Sequence, residues 1–307
     1  MENDWECLVV GGGAAGLSAA LVLGRARRRT LLVDAGRQSN LAAKGIGGLL
    51  GHDGRPATEL YELSRKELQQ YPSVEVRSGE VRTAQRRDGG FDIELADGSH
   101  ERVKRVLLAM GMEYRPPPLP GLDELWGGSV FHCPFCHGWE VREQPLAVLA
   151  QGERAMHMAR LLRGWSDDVI VLTNGTEDLT EETRDCLRAS EVPVDERPIE
   201  RLASVDGELE AIVFTDGSRL ARRGLLVAAT LHQRTDLATQ LGLNFVEPGT
   251  VSMQAVEVDA LYQTSAPGVF AAGDVCTQMP QVAAAVAAGS AAAASMVRSL
   301  MEEIDGI

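Results

Sequence analysis

The stretch that decides the fold is Val10-Gly11-Gly12-Gly13-Ala14-Ala15-Gly16. It joins an apolar run at residues 7–10 to a helical pattern at residues 14–25, and a second apolar run at residues 30–33 ends at Asp34. This order is typical of a strand–helix–strand unit. Glycines at such a turn let a pyrophosphate approach the helix N-terminus, and an acid after the second strand can accept from a ribose hydroxyl. We predict a dinucleotide site at Gly11, Gly13, Ala14, Ala15, Gly16 and Asp34.

The same strand–helix–strand order returns later in the chain, at residues 146–150, 154–163 and 169–172. Four prolines at residues 115–120 are too stiff for a helix and lack the donors of a central strand, so we interpret this stretch as a linker. We predict an α/β fold of two dinucleotide-binding (Rossmann-like, three-layer ββα) domains, one inserted in the other. The outer domain would span residues 1–115 and 248–307, and the inserted one residues 119–245.

Shorter patterns complete the outer domain. Residues 57–70 favour a helix, and the segments 74–77, 91–95 and 103–109 suit a small antiparallel insertion that leads back to the main sheet. The Ala-rich stretch 282–297 is shorter than the ~20 strongly apolar residues of a membrane-spanning helix. We interpret it as a tightly packed soluble helix.

Composition excludes several classes of protein. The 307 residues suffice for two domains with their own cores. With 30 Lys+Arg against 44 Asp+Glu the net charge is −14, which repels phosphate backbones and anionic lipids, so we expect neither nucleic acid nor membrane as a partner. Five cysteines, of which only Cys133 and Cys136 are close in sequence, favour a reducing compartment. The acids Glu2, Asp4 and Glu6 are the reverse of a secretory signal, and we expect a cytoplasmic protein.

The second motif lies at residues 264–274, where an apolar strand ends in Gly273-Asp274. Here the chain resembles the two-dinucleotide-binding-domain flavoproteins, in which such an aspartate bonds the ribityl chain of FAD. Residues 107–111 resemble the short glycine turn of that family, which implies roles for Ala109 and Gly111. Residues 281–289 resemble the helix whose N-terminus, here Gln281 and Val282, points at the flavin and stabilises its reduced form through the helix dipole. The resemblance implies FAD as the cofactor.

The third motif is Cys133-Pro134-Phe135-Cys136-His137-Gly138-Trp139-Glu140. Two such cysteines can form a local disulfide, and a helix N-terminus or a cation can stabilise one thiolate. A zinc site would need four ligands, but the other three cysteines are isolated in the sequence. The spacing C-x-x-C-H also marks c-type haem attachment, which needs export and an axial ligand and leaves the flavin motifs unexplained. We interpret Cys133 and Cys136 as a redox-active dithiol, with no metal.

A redox C-x-x-C in an inserted domain resembles the low-molecular-weight thioredoxin reductases, and the motif order matches over nearly the whole chain. The resemblance implies an FAD-dependent disulfide oxidoreductase that is a homodimer, with a thioredoxin-like protein or a small-molecule dithiol as partner. It implies that Cys136 lies nearer the flavin and that Cys133 exchanges with the partner. Those reductases usually have Asp where this chain has His137. A histidine can carry the thiol proton, so we include His137 among the catalytic candidates, although a lone His is as often structural.

The second glycine turn departs from the pattern of NADPH-binding enzymes. Where that family has G-x-G-x-x-A, this chain has Ala150-Gln151-Gly152-Glu153-Arg154-Ala155, so a Cβ crowds the turn and Glu153 brings an anion near the phosphates. Residues 173–178 contain no Arg to recognise a 2′-phosphate, and Leu231 replaces a usual Gly. We therefore do not expect NADPH as electron donor. An NADPH-dependent thioredoxin reductase with an atypical site is the alternative.

Two subgroups with this architecture lack a working nucleotide site. The C-P-F-C-H-G-W-E string and residues 165–168 resemble the flavin-dependent dithiol oxidases that close the disulfides of gliotoxin and holomycin, in which O2 reoxidises the flavin. The NADPH-independent thioredoxin reductase-like proteins of early-branching photosynthetic bacteria are similar as well. A non-catalytic flavin-binding redox sensor is an alternative of another class. The Gly-rich segment 44–55 is either a substrate loop or a surface connection.

Overall fold

A computed structural model describes residues 5–176 and 178–305 of the chain. Glu2 and Asp4 of the N-terminal acidic pattern, and Glu177, lie outside the described residues. The chain divides into two compact units. The first comprises the described residues up to 41, 49–114 and those from 231 onward, and the second comprises Ala42–Gly48 and Arg115–Thr230.

The strands are β1 Trp5–Val10, β2 Thr30–Asp34, β3 Val74–Ser78, β4 Val81–Arg87, β5 Gly90–Leu95, β6 His100–Leu108, β7 Met112–Arg115, β8 Val130–Phe131, β9 Leu146–Leu149, β10 Val169–Leu172, β11 Val194–Asp195, β12 Ile199–Val205, β13 Glu208–Phe214, β14 Arg219–Ala221, β15 Gly224–Val227, β16 Thr230–Gln233 and β17 Val269–Ala271. The α-helices are α1 Ala14–Arg25, α2 Ala57–Leu68, α3 Pro134–His137, α4 Gly152–Leu162, α5 Glu181–Ala189, α6 Leu237–Gln240 and α7 Val282–Asp305. Single 3-10 turns form at Ser39–Ala42 and Asp274–Cys276.

The first unit is built on a sheet of order β3-β2-β1-β6-β5-β4, with β17 beside β6. The neighbours β3, β2, β1, β6 and β17 run parallel, so their carboxyl ends meet at one edge, where α/β folds bind ligands. Only β4, β5 and β6 pair in antiparallel fashion. The prediction that residues 74–77 belong to the antiparallel insertion was wrong, because β3 pairs in parallel with β2 and so extends the main sheet.

The second unit holds a parallel sheet of order β11-β10-β9-β15-β8 and a three-stranded antiparallel sheet of order β12-β13-β14. Helices α4 and α5 pack on one face of the parallel sheet over a Val- and Leu-rich core. The other face packs against the antiparallel sheet. This is the three-layer ββα arrangement expected of a dinucleotide-type domain.

The units differ from the predicted domain bounds in two places. The chain returns to the first unit at Leu231 rather than near residue 248, because Leu231 bridges to Ser252 and the buried side chains of α6 join the core of the first unit. Residues Ala42–Gly48, predicted within the outer domain, pack with the second unit.

Helix α7 packs against α1 through small residues. A Cβ on Gly289 would lie 2.0 Å from the carbonyl oxygen of Ala15, so the two helices touch backbone to backbone. The side chains of Ala292, Ala293 and Met296 are fully buried. By length and hydropathy the segment Val282–Glu303 could also cross a membrane. Its close packing on α1 instead makes it a core helix of the first unit.

Candidate active site

The turn between β1 and α1 is closed too tightly for side chains. Gly11 has φ +105°, and a Cβ there would lie 2.5 Å from the carbonyl oxygen of Ala109. A Cβ on Gly16 would lie 1.8 Å from the carbonyl oxygen of Gly11. Helix α1 starts at Ala14 after Gly13, with no side-chain cap and no acid in its first turn. Its first amides are thus not capped by a side chain, as a pyrophosphate site requires.

Asp34 ends β2 directly beside this turn. Its Oδ1 accepts from the amides of Gly12 (3.2 Å) and Gly36 (3.0 Å), and the Gln38 amide nitrogen contacts both carboxylate oxygens at 2.9 and 3.1 Å. Arg65 donates to Oδ2 at 2.6 Å. Burial opposes ionisation, but the bonds from Gly36, Arg65 and Gly12 outweigh it and lower the pKa of Asp34. The site therefore presents a fixed carboxylate.

The C-terminal motif meets the N-terminal one at the same sheet edge. Gly273 has φ +83°, and a Cβ there would lie 2.9 Å from the Cβ of Ala15. The next residue, Asp274, accepts a hydrogen bond from the Tyr114 hydroxyl at 3.0 Å. Burial raises the pKa of Asp274, and the Tyr114 bond opposes that shift. A half-buried carboxyl of this kind favours a ligand that brings hydroxyl donors, as a ribityl chain does.

Most of the predicted cofactor residues converge, and a few lie apart. Strand pairing places Val10, Leu108 and Ala271 side by side, so the turns that follow them line one edge. Gly111 has φ +64° with open space around it. Gln281 and Val282 begin α7, where the amide of Ala285 donates to the Gln281 carbonyl, and the described contacts do not join them to the other predicted residues. The tight glycine turn, the fixed Asp34 and the half-buried Asp274 together fit FAD.

The two cysteines of the third motif lie together in the second unit. Cys133 precedes the short helix α3, and the Cys136 thiol donates to the Cys133 sulfur at a sulfur–sulfur distance of 2.8 Å. The amides of Cys136 and His137 point at the carbonyl of Cys133. The bond from Cys136 lowers the pKa of Cys133, against the opposing effect of desolvation. The lowered pKa favours the thiolate form of Cys133.

His137 lies at the end of α3 and stacks on Phe131, with ring centroids 5.7 Å apart. Both of its ring nitrogens are buried without a hydrogen-bond partner among the described residues. Burial lowers its pKa, so the ring is neutral at pH 7 and resists protonation. Beneath the motif, Trp165 contacts Phe135 edge-on at 5.4 Å and fills the space where a Gly138 side chain would lie.

The edge of the second unit that corresponds to the nucleotide turn is engaged by the protein itself. Gly152 opens α4 with φ +56°, and Ala150 before it is buried. Arg154 donates to the carbonyl of Ala229 at 2.7 Å, and burial lowers its pKa. Beyond β10, the Asn174 side chain accepts from the amide of Ile199. Two side chains near this turn, Arg154 and Asn174, are therefore engaged by the protein, whereas the first amides of α4 have no side-chain cap.

Comparison with known proteins decides the family. The model of the pyridine nucleotide-disulphide oxidoreductases matches residues 5–289. The chain belongs to this family. It is 32% identical to thioredoxin reductase tcpT of Claviceps purpurea over 99% of this chain and 97% of the relative, and 31% identical to thioredoxin reductase aclD of Aspergillus oryzae over 96% of each. The crystal structure of an oxidoreductase from Agrobacterium tumefaciens is similar at a TM-score of 0.90, with 36% identity, and covers 98% of this chain and 99% of its own.

The protein is an FAD-dependent disulfide oxidoreductase of the thioredoxin reductase type, and the predicted resemblance and fold class are confirmed. The sequence missed several residues that surround the two aspartates of the candidate FAD site, which we call the cradle residues. Arg65 and Gln38 contact Asp34, and Tyr114 contacts Asp274. None of these three residues lies in a motif of fixed spacing. The sequence offered only weak signals for two of them: Arg65 is a cation in a helical pattern, and Gln38 is an amide shortly after Asp34.

Proposed function

We propose that this oxidoreductase oxidises an external dithiol to a disulfide through Cys133 and Cys136 and does not use NADPH. The observation that carries the proposal is the thiol pair itself. The Cys136 thiol donates to Cys133 at 2.8 Å, and Cys133 has a lowered pKa at the start of α3. An acidified thiol beside a second thiol is the arrangement that exchanges disulfides rapidly at neutral pH.

The chemistry balances as two exchanges. A substrate thiolate attacks Cys133 of the oxidised pair, the bond between the two cysteines breaks, and Cys136 leaves as a thiolate. The second substrate thiolate then attacks the substrate sulfur bonded to Cys133, which releases a substrate disulfide. His137, whose two ring nitrogens have no hydrogen-bond partner among the described residues, would pass on a thiol proton without retaining it, since burial lowers its pKa. Bound FAD supplies the two-electron acceptor for the reduced cysteine pair, and O2 is the proposed final oxidant.

The nucleotide edge supports the exclusion of NADPH. The guanidinium of Arg154 bonds to Ala229, and Arg197, a cation at the end of β11, forms ion pairs with Asp195 (2.5 Å) and Asp216 (3.9 Å). A 2′-phosphate is recognised best by an arginine fork, and the carboxylates of Asp195 and Asp216 would compete with it for Arg197. Repulsion from Glu153 in the first turn of α4 adds to this deficit.

We propose a thioredoxin-like protein or a small-molecule dithiol as the partner, since the relatives named above are thioredoxin reductases. Exposed aromatic side chains next to the cysteines, Phe135 and Trp139, offer contact area for either. We further propose a homodimer in the cytoplasm.

The deciding experiment is anaerobic titration of the yellow protein with NADPH and, separately, with dithiothreitol, following flavin absorbance. We expect bleaching by the dithiol alone. Prompt bleaching by NADPH would show an NADPH-dependent reductase instead. Slow, substoichiometric reduction by every thiol tried would indicate a redox sensor.

A further inference from the structure

The loop Ala42–Gly48, which we call the covering loop, packs with the second unit although the chain on both sides of it belongs to the first. It is fixed at three points. The backbone of Ala42 lies against Gly127, where a Cβ would come within 2.7 Å, and Lys44 forms an ion pair with Glu208. The third point is at Gly47. Ile46, between the last two, is buried.

At the third point the loop touches the redox motif. A Cβ on Gly47 would lie 2.6 Å from the carbonyl oxygen of Cys136 and 3.1 Å from its Cα. Real side chains do not tolerate such distances, so the two main chains are in direct contact. Backbone conformation does not explain why residue 47 is a glycine. Gly47 does not have a positive φ, whereas Gly48 in the same loop does. The lack of space alone requires glycine here.

This contact bears on Cys136 because α3 is only four residues long. A single helical turn is not stable by itself and takes its position from what packs against it. Trp165 supports the helix at Gly138, and Gly47 holds it at Cys136. The Cys136 sulfur is in turn the donor to Cys133 at 2.8 Å.

We propose that the covering loop is a positioning element of the dithiol site, in which Gly47 holds Cys136 where its thiol can donate to Cys133. The inference rests on the proposed function in that it assigns these two cysteines as the reacting pair. The loop acts through the main chain of Cys136 and touches neither substrate nor cofactor in this role. A Gly47 side chain would push Cys136 away and weaken the bond that favours the Cys133 thiolate.

The test is the pH dependence of Cys133 alkylation in the reduced protein, read by mass spectrometry of the labelled peptide. In Gly47→Ala we expect the midpoint to rise by about one pH unit, since loss of a hydrogen bond to a thiolate raises its pKa by such an amount. The matched control is Gly128→Ala in the same unit, where the new Cβ has 3.5 Å to its nearest neighbour, the Leu125 carbonyl oxygen. Its profile should coincide with that of the wild type.

A folded Gly47→Ala protein with a wild-type profile would overturn the proposal. Should that variant fail to fold, Ile46→Ala loosens the loop without inserting an atom, and it should shift the midpoint in the same direction by a smaller amount. An unchanged alkylation profile in Ile46→Ala would also overturn the proposal. Flavin bleaching of the wild type by dithiothreitol is recorded in parallel. Its absence would refute the proposed function, whereas normal bleaching with an unshifted variant would refute only the role of the loop.

Discussion

At the scale of single residues, the site depends on charges fixed by short hydrogen bonds. Asp34 is held ionised by Arg65 and by backbone amides, whereas Asp274 is half-buried with a raised pKa. Cys133 has a lowered pKa beside Cys136. By contrast, burial raises the pKa of both Cys7 and Cys276 to about 12, which makes these thiols inert. Environment, not residue type, separates the reactive cysteine from the structural ones.

Replacement of the attacking cysteine tests these roles directly. Cys133→Ser should abolish dithiol-dependent turnover, because a serine cannot form the mixed disulfide, and FAD should stay bound since the cradle residues lie in the first unit. The measurements are oxygen consumption with dithiothreitol and the flavin absorbance of the purified variant. Full activity in Cys133→Ser would contradict the assignment.

Arg65 gives a test of the cofactor site that does not depend on turnover. In Arg65→Met, Asp34 loses its charge-assisted partner at 2.6 Å and its fixed orientation, and FAD affinity should fall by about 10-fold. Titration of the apoprotein, followed by quenching of flavin fluorescence, measures the dissociation constant. Lys66→Met, at the next and exposed position of α2, is the control and should bind as the wild type does. Equal affinities in both variants would show that Arg65 has no part in the site.

At the scale of elements, close contacts between backbones position the functional turns. Helix α1 is held to α7 at Gly289 and to the turn after β17 at Gly273. Helix α3 is held near its C-terminal end by Gly47 and Trp165, since its own hydrogen bonds are too few. Helix α2 carries the arginine that fixes Asp34. Each contact joins segments that are far apart in the sequence.

The α1–α7 contact predicts a strong effect of a single methyl group. Gly289→Ala places a Cβ 2.0 Å from the Ala15 carbonyl, and separation of the helices should cost about 1–3 kcal/mol of unfolding free energy. Thermal unfolding of the apoprotein measures the loss. Ala287→Ser, on the exposed face of α7, should unfold like the wild type. A stable Gly289→Ala protein would mean that α7 can pack elsewhere.

At the scale of the whole molecule, the FAD unit is assembled from both ends of the chain. Strands β1 and β17 share one core and α7 packs on α1, with the second unit's sequence between the two halves. A ligand that bridges these segments binds only the folded chain. Its binding free energy therefore adds to the stability of that unit.

We accordingly expect FAD to raise the unfolding temperature of the apoprotein in a concentration-dependent way. At one hundred times the dissociation constant the gain should be about 2.7 kcal/mol. Calorimetry at increasing FAD concentrations measures it, and Arg65→Met should need about 10-fold more FAD for the same shift. A transition that FAD leaves unmoved would show that the cradle does not bind it.

The sequence by itself determined the elements with strong local signals. The bounds predicted for α1 and β10 match those observed, because an apolar pattern and glycines act over a few neighbouring residues. The motifs also gave the family and the two cysteines. Residues 74–77 were assigned to the wrong part of the sheet, since pairing with β2 depends on a partner 44 residues away and leaves no local signal.

Only the tertiary structure decided which groups meet. Arg65, Gln38 and Tyr114 reach the two aspartates across long sequence separations, and Gly47 reaches Cys136 from a loop that composition left open. Contacts of this kind depend on the packing of whole elements, in which a few tenths of an ångström separate contact from clash. Periodicity and spacing specify which face of an element is buried, but they do not specify its neighbour.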